Sequence, residues 1–130
     1  MGRITALDPV AGHFDAYDGA HIEQEDALFV DVIYTSLGTN EGGVKDLLLN
    51  SLGMSRAVGT VDFYPNGGQF QPQCDPGSAT SRQVTVLCNH RSALHYFITS
   101  LDDGPKHDLN TISCDSWSSF KKCEKQSKYL

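Results

Sequence analysis

Two residues in this sequence have the type and placement for proton transfer. Asp8 closes a short alternating stretch, Arg3-Ile-Thr-Ala-Leu, and stands directly before Pro9. Pro9 has no amide donor and restricts the residue before it, so a strand should end there. A carboxylate at the C-terminal end of a strand lies where open α/β sheets hold ligands and chemistry. His90 follows Cys88 closely and falls in the first turn of an expected helix. An Asp and a His in this chain order can be the later members of a Ser–Asp–His triad. There the Asp orients the imidazole and the imidazole takes the nucleophile's proton. The plainer alternative is that Asp8 caps a turn. With 5 histidines and 16 acids in the chain, an Asp–His pair is a weak signal by itself. His13, His21, His95 and His107 read as surface or packing residues.

The cysteines carry a second signal. Cys74, Cys88, Cys114 and Cys123 contain no Cys-x-x-Cys, so a zinc site or a thioredoxin-type redox pair fits poorly. An even number in a loop-rich half reads as two disulfides, with three pairings open. The nearest-neighbour pairing closes two short loops. Disulfides imply an oxidising compartment. Met1 to Asp8 has no apolar h-region. The cysteine set therefore raises the expectation that a leader lies upstream of Met1. Asp15, Asp18, Glu23, Glu25 and Asp26 crowd one loop-like stretch, which composition alone reads as a solvated acidic loop.

The elements that would position these groups follow from pattern. Arg3 to Leu7 is one strand. Leu28 to Thr35 is a second, nearly continuous in apolarity as a buried strand should be. Val58 to Tyr64 is a third, ended by Pro65-Asn66-Gly67-Gly68. Ser36 to Gly59 is a long glycine-bearing excursion with a short helix expected at 44–49. Residues 89–101 read as a helix capped by Asn89. Its apolar stripe is Ala93, Phe97 and Leu101, with Leu94 and Ile98 beside it.

Size and charge bound the function. A chain of 130 residues suits one domain. The net charge of −6 argues against gripping a nucleic-acid backbone, which needs a basic face. The most apolar stretch, Leu28 to Tyr34, is interrupted by Asp31, so no transmembrane segment is expected.

Arg3-Ile-Thr-Ala-Leu-Asp-Pro, Asp26-Ala-Leu-Phe-Val-Asp-Val-Ile-Tyr-Thr, Gly59-Thr-Val-Asp-Phe-Tyr-Pro-Asn-Gly-Gly and Cys88-Asn-His follow one another in this order. Together they resemble successive landmarks of the pancreatic lipase family of secreted triacylglycerol lipases and phospholipases A1. The resemblance runs from residue 2 to about residue 123 and is most specific at Val61 to Gly68.

The resemblance implies a partial α/β-hydrolase fold. The chain would be the C-terminal portion of the catalytic domain, with part of a mostly parallel sheet and flanking helices. It implies a carboxylic ester hydrolase acting on lipid at a lipid–water interface, with Asp8 as the triad acid and His90 as the base. It makes Cys74 and Cys88 the pair that closes the lid, and Cys114 and Cys123 a later disulfide loop around Ser116, Trp117 and Phe120. Asp18, His21 (through its carbonyl), Glu23 and Asp26 match the family's calcium ligands, which fits hard-cation chemistry. No cofactor is expected for catalysis. The lid stretch Asp75 to Leu87 is short and polar. It leans toward a phospholipid or short-ester substrate rather than triacylglycerol.

The chain departs from the family pattern in one large respect. It contains no Gly-x-Ser-x-Gly, and Asn50-Ser51-Leu52-Gly53 lies after Asp8, on the wrong side of it. The expectation is a nucleophile elbow preceding Met1, with the oxyanion donors also outside this chain. This chain alone is then expected to be inactive. The alternative is a truncated, non-catalytic paralogue with a lipid-binding or interaction role. Smaller departures are Val10-Ala11-Gly12-His13, Thr60 and Ser92.

Overall fold

The structure is a computed structural model that describes residues 1–11, 19, 21–37, 52–54, 56–74, 82–101, 112–116, 119–120 and 122. The expected helix at 44–49, Asp18, Trp117, Cys123 and most of the Asp75–Leu87 stretch lie outside the described residues.

Among the described residues, β1 (Ile4–Leu7), β2 (Val30–Ile33) and β3 (Val61–Phe63) form a three-stranded sheet in that spatial order. Both pairings are parallel, with Ile4 opposite Val30 and Asp31 opposite Val61. Parallel strands need crossovers, and the long intervening stretches supply the length for them. The central strand β2 is buried throughout, which accounts for its continuous apolarity. Its one acid, Asp31, is matched rather than exposed. Arg3 donates to both its oxygens at 2.9 Å, and the hydroxyl of Thr5, its register partner, donates at 2.9 Å. The Arg3 guanidinium holds the Asp31 carboxyl below its usual range.

The core gathers Val30, Val32, Tyr34, Leu37 and Met54, with Ile4, Ala6 and Tyr64 packed against it. Tyr34 and Tyr64 stack with ring centroids 4.8 Å apart. Burial pushes both phenols up. The turn after β3, Pro65–Gly68, takes left-handed backbone at Asn66, Gly67 and Gly68. A side chain at Gly68 would come within 2.8 Å of Leu37, so this position needs both the conformation and the missing Cβ.

One long helix is described, α1 (Arg82–Ser100). It begins ahead of the expected 89–101, so Asn89 is an interior residue and not a cap. Its inner face is small and polar: Thr85, Asn89, Ser92 and Ala93 are buried. The expected stripe runs from buried Ala93 through half-buried Phe97 to exposed Leu101, while Leu94 and Ile98 beside it are exposed. The helix is held to the 71–74 segment that follows β3 by polar contacts and a disulfide. Asn89 accepts from the Gln71 amide at 2.9 Å, the Ser92 hydroxyl accepts from the Gln73 side chain at 2.8 Å, and Cys74 is bonded to Cys88. No described helix is long and apolar enough to cross a membrane.

Candidate active site

The C-terminal ends of β1 and β2 meet at Asp8. It follows β1 directly, and its backbone amide donates to the Ile33 carbonyl at the end of β2 at 2.8 Å. The backbone at Asp8 is left-handed, with φ of 49°. Asp tolerates this region better than most residues, yet such a conformation commonly accompanies a functional demand. Here it turns the carboxylate away from the sheet and toward α1.

The Asp8 side chain is fully buried and receives four donors from among the described residues. The Thr35 and Ser36 amides donate to Oδ1 at 2.7 and 3.0 Å. The Ser36 hydroxyl donates to Oδ2. The His90 ring meets the same Oδ2 through Nδ1 at 2.6 Å. Contacts of this length between an imidazole and a carboxylate are among the stronger hydrogen bonds in proteins. Gly53 closes the cradle, its amide donating to the Ser36 carbonyl at 3.0 Å. A Cβ at Gly53 would lie 2.7 Å from the Asp8 carboxylate, so the approach admits no side chain.

His90 reaches this point from α1, and its backbone carbonyl accepts a long bond from the Thr35 hydroxyl at 3.4 Å. Thr35 therefore touches both partners. A carboxylate only accepts, so His90 donates through Nδ1. In the neutral ring Nε2 is then the bare nitrogen, free to take a proton. The side chain is about a quarter exposed (27%), and Nε2 has no hydrogen-bond partner among the described residues. Ser36 faces the carboxylate and not Nε2, so it is not placed as a nucleophile.

The acidic loop is arranged differently. Asp26 accepts from the Glu23 amide at 2.9 Å, while Glu23 pairs with Nε2 of His21 at 3.0 Å. Nε2 of His21 also meets Arg56. Among the described residues no three His, Cys, Asp or Glu side chains converge as a metal set. Asp18 lies outside the described residues, and so does Cys123, the expected partner of Cys114.

Sequence reasoning named Asp8 and His90 but not Thr35, Ser36 or Gly53. Two of these act largely through backbone amides, which leave no side-chain signature. Gly53, one of the glycines inside the Ser36–Gly59 excursion, is the one available hint.

A sequence profile of the family Lipase matches residues 1–127. The chain is 34% identical to lipoprotein lipase of Mus musculus, across 94% of its own length and 26% of that protein's. The same figures hold for lipoprotein lipase of Rattus norvegicus and of Homo sapiens. The chain thus spans about a quarter of the length of the curated relatives it matches. With the profile covering nearly every residue and the four landmarks in order, the chain belongs to the pancreatic lipase family.

Proposed function

We propose that this segment supplies the acid–base half of a lipid-ester hydrolase, as the C-terminal portion of an α/β-hydrolase catalytic domain. The observation that carries the reading is the 2.6 Å contact between His90 Nδ1 and the buried Asp8, at the C-terminal edge of a parallel sheet. His90 Nε2 removes the proton of a serine supplied by another segment as that serine attacks the ester carbonyl. The imidazolium, stabilised by Asp8, then protonates the leaving alcohol. In the second half the same nitrogen activates water, which releases the fatty acid from the acyl-enzyme. Asp8 stays a carboxylate throughout.

The Cys74–Cys88 bridge lies close to this chemistry, with His90 two residues after Cys88 in α1. The Asp75–Leu87 stretch between the two cysteines is short and polar, and read as a lid it favours phospholipid or short esters over bulky triacylglycerol. The bridge also supports secretion. The test is to read the transcript upstream of Met1 and assay its product on phospholipid and triacylglycerol emulsions. The expected product carries an in-frame Gly-x-Ser-x-Gly and loses hydrolysis in His90→Ala. A transcript with no such elbow leaves the non-catalytic, lipid-binding role in its place.

A structural calcium belongs to the same proposal. The donors available are oxygens, the Glu23 and Asp26 carboxylates and the His21 carbonyl, with Asp18 from outside the described residues. Their chemistry suits a hard cation that would tie down the loop. Chelation with EGTA is expected to lower the melting temperature and added calcium to restore it. An unchanged melt removes the assignment.

A further inference from the structure

We propose that Ser36 is a positioning residue for the Asp8–His90 pair, holding the carboxylate in the plane that fixes the imidazole proton on Nδ1. This rests on the reading of Asp8 and His90 as acid and base. The hydroxyl of Ser36 has two neighbours of opposite kind. The Gly53 amide can only donate, and it does so to Oγ at 3.1 Å. The Asp8 carboxylate can only accept. The direction of the hydroxyl proton is thereby settled, and it points at Oδ2.

Ser36 thus grips both oxygens of one carboxylate. Its amide donates to Oδ1 at 3.0 Å, and its hydroxyl donates to Oδ2. Two bonds from one residue to the two ends of a planar group resist rotation of that plane. The grip itself is anchored, since the Gly53 amide also holds the Ser36 carbonyl at 3.0 Å. Both Ser36 and Asp8 are buried, so water does not readily replace the hydroxyl. Without Oγ, Oδ2 keeps only the imidazole as its donor among the described residues. The carboxylate can then turn about its Cβ–Cγ bond, and the ring proton loses its fixed acceptor.

The experiment is magnetic resonance of the 130-residue chain carrying isotope-labelled histidine, with a melting temperature for each variant. The parent is expected to hold His90 as the Nδ1–H tautomer with a low-field ring proton. Ser36→Ala is expected to lose that low-field signal and give a mixture of tautomers. Ser36→Thr keeps the hydroxyl and is expected to restore both. Parent-like spectra from Ser36→Ala overturn the proposal. So does a failure of Ser36→Thr to restore them, because packing rather than the hydroxyl would then be at work. A parent chain with no fixed His90 tautomer also overturns it, since every group of the cradle belongs to this chain. Asp8→Asn separates the two readings. If it leaves the Nδ1–H tautomer in place, the Asp8–His90 pairing itself fails, whatever Ser36 does.

Discussion

Asp8→Asn is expected to leave the chain folded and to move the His90 proton from Nδ1 to Nε2. The replacement is nearly isosteric, and Asn tolerates the left-handed backbone at this position as Asp does. Its carbonyl oxygen can still accept from the Thr35 and Ser36 amides, now found at 2.7 and 3.0 Å. Its amino group must then stand where Oδ2 was, facing His90 Nδ1. Two donors cannot share that contact. The imidazole responds by carrying its proton on Nε2 and accepting through Nδ1. The change costs about 1–3 kcal/mol of stability, the range for a disturbed buried hydrogen bond.

The consequence for chemistry is much larger. Nε2 is the nitrogen assigned to receive the nucleophile's proton, and in the variant it already holds one. If the proposed lipid-ester hydrolysis is assayed, kcat is expected to fall by about 10⁴-fold, as it does when a triad histidine is held in the wrong tautomer. KM should hardly change, because the substituted atom touches the ring and not the substrate. Steady-state kinetics on a soluble ester would check both parts. A fall in kcat of less than about tenfold would remove His90 as the base.

The strands were legible because their signals are local. Leu28 to Thr35 announces a buried strand by composition, and the structure places β2 at Val30–Ile33 within it. Pro9 marks a strand end at Asp8, but the Asp8–His90 pair is a weak signal by itself, and it is the resemblance to the lipase family that singles it out. The cradle could not be read in this way. The donors on Asp8 come from Thr35 and Ser36, far along the chain, and Gly53 closes from further still. No short window of sequence holds such an arrangement.

The helix start was hidden for a different reason. Gln83-Val-Thr-Val-Leu is rich in β-branched residues, which are mediocre helix formers. Tertiary contacts decide the matter, since Thr85 is buried and Cys88 is tied to Cys74. The same contacts explain why Leu94 and Ile98 are exposed although they are apolar. The helix docks through Asn89 and Ser92, so burial follows the hydrogen bonds and not the hydropathy.

Gln71→Ala should be strongly destabilising although the residue is polar. Gln71 is 2% exposed and joins three parts of the molecule. Its side-chain amide donates to the Thr35 carbonyl at 3.1 Å and to the Pro65 carbonyl at 3.2 Å. Its Oε1 accepts from Asn66 at 3.0 Å and from the Tyr96 hydroxyl at 2.9 Å. Alanine removes all of these at once and leaves the two carbonyls without that donor. Asn66 and Tyr96 keep their own bond at 2.9 Å, which softens the loss. With each lost bond worth about 0.5–1.5 kcal/mol, the expected cost is about 2–4 kcal/mol. Gln71→Glu should be no better, because a carboxylate cannot donate to either carbonyl and adds a buried charge. The effect should also reach the site. Thr35 holds Asp8 through its amide and Gln71 through its carbonyl, while Tyr96 lies on the helix that carries His90. The Gln71 variants should therefore loosen α1 against the cradle and speed exchange of the His90 ring proton. Denaturant melts paired with hydrogen exchange would measure both. A loss below about 1 kcal/mol with unchanged exchange would mean that water replaces Gln71 without penalty, and that the link between turn, strand and helix lies elsewhere.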